Sequence, residues 1–297
     1  MKKLILSLSA LILSCSLLTS CGQNTNTSTS ADLSSSVESS AFSGIFDLPN
    51  TPAQVEDYPV MIMVGEYREG EEPEFIEVYG SYTGALLNGL PDGEGAFSSE
   101  NEAGVAYTYT GSFIGGAPNG KGSTVWVDEN DQVNFAQFGT YINGLYAPTK
   151  AERIYSLGQF SGFGTFNVSE AGFSFIEQNK AIFPAGSADE IKDFVNPDAS
   201  IKKIKKSISG YEDSLMKVKG LYVVQIVEEF YAGDTVTTML LADSVNNFFC
   251  VYYPGSIDYY QGDTIDTAYI LPLANTGFSN VSGGTTLCLA AYGSYID

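Results

Sequence analysis

The sequence predicts a mostly β protein, a sheet of stacked hairpins followed by a small five-stranded barrel. Three observations carry that prediction. A glycine-rich pattern at Tyr82-Thr-Gly84-Ala-Leu-Leu-Asn88-Gly89-Leu-Pro-Asp92-Gly93-Glu-Gly95 returns 27 residues later as Tyr109-Thr-Gly111-Ser-Phe113-Ile-Gly115-Gly116-Ala-Pro-Asn119-Gly120-Lys-Gly122. After Leu215, five runs rich in β-branched and aromatic residues are separated by turns such as Ala232-Gly233-Asp234 and Gln261-Gly262-Asp263. The composition, 44% hydrophobic with 19 Tyr, 18 Phe and 31 Gly, is that of a folded, turn-rich chain.

Charge narrows the functional classes. The 297 residues carry 14 basic and 35 acidic side chains and no histidine, a formal −21. Nucleic-acid binding, which draws on clustered Lys and Arg, is therefore not expected. Chemistry built on histidine is excluded: Ser-His-Asp triads, Cys-His pairs and His-bearing zinc sites. No cofactor or metal signature is present, and the acidic residues lack the ligand spacing of a calcium loop. Residues 56 to 102 hold 12 acids and one basic residue, Arg68, which reads as solvated acidic surface.

Taken in order, residues 1–20 read as a signal segment, with Lys2 and Lys3 before the apolar run LILSLSALILSCSLL. Leu18-Thr-Ser20-Cys21-Gly22 resembles the lipobox of bacterial lipoproteins. That resemblance implies a lipid anchor on Cys21 and a chain held at the membrane on its extracytoplasmic side; two acyl chains anchor stably where one is marginal. An ordinary secretory signal is the alternative. Residues 21–41, rich in Ser, Thr and Asn, have little apolar area to bury and read as a tether. Without Lys2 and Lys3 the mature chain counts 12 basic and 35 acidic residues, a net of −23.

The region 56–183 is expected to be the hairpin sheet. Tyr58–Val64 and Phe75–Tyr79 are strand runs, and the repeats lie near 82–98, 109–126 and 137–166. In the third copy Gly139-Thr-Tyr141-Ile-Asn143-Gly144 matches, and the tail is placed at Gly162-Phe-Gly164-Thr-Phe166 after a 15-residue insertion. Period-two spacing puts Tyr82, Gly84 and Leu86 on one face, as it does Tyr109, Gly111 and Phe113. Asn88-Gly89, Asp92-Gly93 and Asn143-Gly144 suit turns of positive φ. Glycine recurring within strands, as at Gly84, Gly95, Gly111, Gly122 and Gly139, implies close approach of a neighbour, expected to be the aromatic of the next hairpin.

These residues resemble the MORN repeat, roughly YxGxWxxGxxxGxG, with Leu86, Phe113 and Tyr141 in place of tryptophan. The resemblance implies a stacked-hairpin sheet that serves as a scaffold or contact surface, with Tyr82, Tyr109, Phe113 and Tyr141 as candidate contact residues.

Residues 184–207 read as a helical linker, a short helix at Ser187–Phe194 capped by Ser187 with Glu190 as capping-box partner, then Ile201-Lys-Lys-Ile-Lys-Lys. Residues 208–297 carry the five strands. Val218-Lys-Gly220, Val223–Val227, Val251–Tyr253, Tyr260–Asp263 and the closing Gly284-Thr-Thr resemble the OB-fold domain of the tRNA-anti-like kind found in exported lipoproteins. The resemblance implies a small closed barrel, with Phe248, Tyr252, Tyr253 and Tyr259 as candidate contacts. Because residues 220–297 contain eight acids and no Lys or Arg, another envelope protein or a glycan is the expected partner. Cys250 and Cys288 sit mid-strand and are expected to be neighbours, either bridged or as free buried thiols. The expected function is a membrane-anchored binding or scaffolding module; the alternative is a carboxylate hydrolase with its site between the two domains.

Overall fold

The computed structural model describes residues 52–101, 104–130, 132–280 and 283–297. The signal segment, the tether and Cys21 lie outside the described residues. Two β-sheets make up most of the fold, joined by a helical segment.

The first sheet runs in sequence order through β1 (Ala53–Glu66), β2 (Glu74–Leu87), β3 (Leu90–Glu100), β4 (Ala106–Ile114), β5 (Ala117–Val127), β6 (Val133–Ile142) and the two-residue β7 (Leu145–Tyr146). Neighbours are antiparallel hairpins, so the long-range order follows from local turns. Far along β1 the backbone turns back onto the hairpin tips. Met63 N–H donates to Gly116 O at 3.1 Å and Gly65 N–H to Gly144 O at 3.0 Å, and Gly65 pairs with Leu145.

Five strands meet at one level in an unbroken row of glycines, Gly84↔Gly95↔Gly111↔Gly122↔Gly139. The close neighbour is not the next hairpin's aromatic, as expected, but in the first two copies the tyrosine that opens the same copy, and at Gly139 it is Glu152. A Cβ on Gly95 would lie 2.5 Å from Tyr82 Cζ, and one on Gly122 would lie 2.6 Å from Tyr109 Cζ. Each ring lies in the trough its own glycines leave, its hydroxyl donating to a bulged carbonyl: Tyr82 Oη to Ala85 O at 3.1 Å, Tyr109 Oη to Ser112 O at 3.0 Å. The rings then stack edge-to-face in a column, Tyr82 to Phe113 at 5.2 Å, Phe113 to Tyr109 at 4.9 Å and Tyr109 to Tyr141 at 4.9 Å.

The third copy is truncated rather than interrupted. Its tyrosine position is Gln137, its return strand is only β7, and residues 162–166 form no strand. The stretch read as an insertion is helix α1 (Lys150–Gln159), opened by a Thr149–Glu152 capping box. This helix covers the edge that a longer return strand would have paired. Thr140 N–H donates to Glu152 Oε2 at 3.1 Å. Ser156 Oγ accepts from Phe138 N–H at 3.0 Å and donates to Phe138 O at 3.2 Å. The spacing fits: positions i and i+4 of a helix are about 6 Å apart along its axis, and residues i and i+2 of a strand about 6.6 Å. An unpaired edge is thereby closed by side chains.

The second sheet comprises β8 (Met216–Tyr231), β9 (Asp234–Ala242), β10 (Phe248–Pro254), β11 (Thr264–Ser279) and β12 (Thr285–Ile296). Its order is β10-β12-β11-β8-β9, and β9 pairs with β10, so the ring of hydrogen bonds returns on itself. All neighbours are antiparallel except β10 and β12, which are parallel. Leu221, Val223, Met239, Leu241, Phe249, Val251, Ile265, Ile270 and Leu289 fill its interior.

The outer face of β10, β12 and β11 is covered as well, which is why β12 reads as a run of seven buried residues instead of an alternation. Ala151 and Ile154 of α1, Ile176 of α2 (Glu170–Gln178), and Phe183, Ala185 and Ile191 beyond it share one core with Tyr252, Leu271, Ala290 and Tyr292. This core has members on both sides of residue 184. The helix expected over Ser187–Phe194 is only a 3-10 turn at Lys192–Phe194. Ser187 and Glu190 do bond to each other, but Val195 is drawn into a bridge with Leu215 and Leu215 N–H donates to Phe194 O at 2.8 Å. Helix α3 (Ile201–Lys206) buries Ile204 in the interior of the second sheet and leaves its four lysines exposed.

Candidate functional site

Several expected contact residues are core. Tyr82, Tyr109, Phe113 and Tyr141 are at most 3% exposed and form the aromatic column. Burial raises the Tyr141 hydroxyl well above its ordinary value, and its bond to Thr124 Oγ1 at 2.6 Å replaces solvent. In the second sheet Tyr252 is also buried, its hydroxyl on Ser161, while Phe248 packs half-buried against Phe278. Tyr253 and Tyr259 are half-buried. Gly89, Gly116 and Gly144 close the hairpins, whereas Gly93, expected at a turn, lies like Gly120 at positive φ within a return strand.

Cys250 and Cys288 are neighbours on parallel strands, as expected, but offset: Cys288 pairs with Phe248 and Cys250 with Ala290. Both are free and buried. Burial pushes the Cys288 thiol up to about 11 and the Cys250 thiol higher still, so neither has the thiolate character of a reactive cysteine.

The β8–β9 turn is spent inside the molecule. Ala232 and Gly233 take positive φ, and Tyr231 enters the aromatic core of the first sheet, 6.1 Å from Phe135 and 6.2 Å from Tyr146. Arg153 of α1 clamps it, pairing with Asp234 at 2.6 Å and donating to Ala232 O at 3.3 Å. The buried carboxylate of α1, Glu152, is not poised as an acid. Burial alone would raise it, but Lys121, Thr149 N–H and Thr140 more than offset that and hold it below the usual range.

Two cavities among the described residues bear on a site. One of about 340 Å³, between β6 and helices α1 and α2, is lined by Phe138, Gly139, Glu152, Tyr155, Val168, Glu170 and Phe173. Its buried carboxylate, Glu152, is already engaged by the strand edge, the helix cap and Lys121. The other, about 500 Å³, opens at one rim of the second sheet between β8 and the β10–β11 loop. Ile226 and Ile257 make its apolar wall, Tyr259 and Tyr260 its aromatic side, and Glu228, Ser256 and Asp258 its polar groups.

The rim loop is held at both ends. Gly255 N–H donates to Thr235 O at 2.9 Å and Thr237 Oγ1 to Gly255 O at 2.6 Å; at the other end Tyr260 N–H donates to Asp263 Oδ2 at 2.8 Å and Gly262 N–H to Val223 O at 2.9 Å. Its middle hangs on Glu228, whose Oε1 accepts from Ser256 Oγ at 2.7 Å and Ile257 N–H at 3.1 Å, with the Thr237 hydroxyl, already donated to Gly255 O, 3.4 Å away. The Ser256 hydroxyl and then the Ile257 amide hold Glu228 below the usual carboxylate range, so it is charged at neutral pH. Around it the field is negative. Tyr260 is raised by its hydrogen bond to Asp258 and by the charges of Asp258, Asp263 and Glu228, and Tyr259 by burial and by Asp297, Asp266 and Asp263. Of these residues the sequence marks only Tyr259 as a contact. The readable signal is the acidic, aromatic loop Ser256-Ile-Asp258-Tyr-Tyr260; Glu228, from another strand, has none.

Among the described residues no group of His, Cys, Asp and Glu is placed to hold a metal ion, and no helix is long and apolar enough to cross a membrane. The MORN repeat family model matches residues 82–102 and 109–130, the first two hairpin copies. No curated protein and no solved structure matches the chain.

Proposed function

We propose that this protein is an extracytoplasmic lipoprotein, anchored through Cys21, that uses its MORN-type sheet as a scaffold and an OB-type barrel to contact another envelope protein or a glycan. Several features support the barrel reading. Counted within the second sheet, the strands pair in the order 1-2-3-5-4-1 with the third and fifth parallel, which is the Greek-key closure of that fold. A helix, α3, adds Ile204 to its interior. The observation that carries the binding reading is the rim cavity in the barrel wall: concave, preformed by a stapled loop, and lined by apolar and aromatic residues with a few polar groups. The MORN sheet packs its repeat tyrosines, Tyr82, Tyr109 and Tyr141, into its own core and takes in the β8–β9 turn, so its role is to hold the barrel in a fixed orientation.

The test is capture from native membranes with the intact chain and with Tyr260→Ala after crosslinking. A partner recovered with the intact chain and lost with the variant supports this reading. Identical recovery would place the contact elsewhere.

A further inference from the structure

We propose that the barrel-rim cavity binds a cationic side chain, the ammonium of lysine or the guanidinium of arginine, presented by a basic polypeptide segment. The inference rests on the binding-module reading above and names its ligand chemistry.

The first ground is an unspent acceptor. The hydrogen bonds that Glu228 receives, from Ser256 Oγ and Ile257 N–H, both fall on Oε1. Oε1 thus builds the loop, while Oε2 of this exposed, cavity-lining carboxylate takes no hydrogen bond from the described residues. A carboxylate has acceptor sites on both oxygens, and a charged donor is its strongest partner.

The second ground is the absence of an internal counter-charge. The ion pairs among the described residues engage Glu74, Glu152, Asp234, Glu177 and Asp198. None engages Glu228, Asp258 or Asp263, and the chain has no Lys or Arg after Lys219. At the β8–β9 turn, by contrast, Asp234 is paired with Arg153. The rim carboxylates therefore concentrate negative potential over a concave site, which raises the local concentration of cations and disfavours phosphate or carboxylate ligands.

The third ground is the aromatic wall. Tyr260 is 68% exposed beside the cavity, and a tyrosine face close to carboxylates suits a cation, which gains from the ring quadrupole and the charge together. The apolar residues Ile226 and Ile257 match the methylene stem of Lys or Arg. A neutral glycan would use the aromatic face but not the negative field. Among the described residues no three carboxylates converge to cage a bare metal ion.

The probe is the peptide acetyl-Gly-Arg-Gly-Arg-Gly-amide, titrated into the full chain by calorimetry at two salt concentrations, with amide spectra recorded alongside. Saturable binding that weakens with salt is expected, with shifts at Ile257 and Tyr260. Glu228→Gln keeps an oxygen for Ser256 and Ile257 but removes the charge, and should weaken binding about tenfold or more, the equivalent of losing one charged hydrogen bond. Tyr260→Ala should weaken it severalfold. Glu77→Gln, an equal charge change on the exposed face of β2, should leave it unaltered. Equal weakening by Glu77→Gln and Glu228→Gln would mean diffuse attraction to an acidic protein and would overturn the proposal, as would no saturable binding. Tighter binding of a neutral chito-oligosaccharide at the same amides would also overturn it. Membrane capture that survives Glu228→Gln and fails with Tyr260→Ala would sink the cation inference while leaving the binding-module reading intact.

Discussion

Gly122→Ala adds one methyl group to the trough that holds Tyr109, and its cost can be worked from the geometry. Gly122 is not at a positive φ, so alanine suits its backbone and the penalty comes from space. The new Cβ would lie 2.6 Å from Tyr109 Cζ and 2.7 Å from Cε2, on a ring with no solvent exposure. The ring must move, and moving it breaks the 3.0 Å bond to Ser112 O and disturbs edge-to-face contacts of 4.9 Å with both Phe113 and Tyr141. Overpacking costs about 1–3 kcal/mol, the hydrogen bond about 1, and each aromatic contact about 0.5–1.5 where it is lost outright. Partial loss of each, less about 0.5–1 kcal/mol gained from the stiffer unfolded chain, gives a net destabilisation of about 3 kcal/mol. Gly162→Ala is the control, since a Cβ there meets nothing within 4 Å and the φ is ordinary; it should stay within about 0.5 kcal/mol. Urea midpoints at unchanged slope report the difference. In a Tyr109→Ala background the additional cost of Gly122→Ala should fall below about 1 kcal/mol, because the obstructing ring is gone. Equal small losses at positions 122 and 162, or an undiminished cost in the Tyr109→Ala background, would refute the trough.

Glu152→Ala should cost about 2–4 kcal/mol by leaving Thr140 N–H and the α1 cap without their acceptor, measured by denaturation at pH 7. Because the folded-state value of Glu152 is depressed, its contribution is complete above the unfolded carboxylate range and fades as pH falls through the folded value. The gap between wild type and Glu152→Gln should therefore narrow below about pH 4, and a constant gap would count against the linkage. Cys250 and Cys288 should resist alkylation in the native protein at pH 8, since burial keeps both protonated, and each should accept one label after denaturation without reductant; mass unchanged by alkylation would mean a disulfide. Radiolabelled fatty acid should enter the wild type and not Cys21→Ala; label retained by the variant would remove the proposed anchor.

What a sequence discloses follows from how local each signal is. The first two MORN copies are legible because Tyr, Gly and turn residues repeat at one offset, and a hairpin writes its own turn chemistry between strands that pair with each other. The five strands of residues 216–296 are legible for the same reason, as β-branched runs between turns. The third copy misleads because the pairing that ends it is made by side chains of a helix: Gly139 and Asn143-Gly144 keep the pattern, while Glu152 and Ser156 satisfy the edge without strand-like sequence. The tyrosines read as surface because a phenol is amphipathic and its spacing cannot say whether its hydroxyl meets water or a bulged carbonyl. That distinction depends on the glycine row opposite, which only registered strands assemble.

The candidate site divides along the same line. Tyr259 and Tyr260 come from one loop and are readable as an acidic aromatic stretch, but the group that shapes that loop, Glu228, lies about thirty positions earlier on β8. Its importance comes from a bulge between Val223 and Gln225, which reverses the facing of the strand beyond it. Val223 points into the interior before the bulge, and after it Ile226 and Glu228 share the face that meets the rim. A strict alternation from Leu221 and Val223 would have put Gln225 and Val227 on that side, leaving Glu228 on the opposite face. One extra residue in a strand therefore decides that a carboxylate meets the loop, and the loop in turn hangs on a single one of its oxygens.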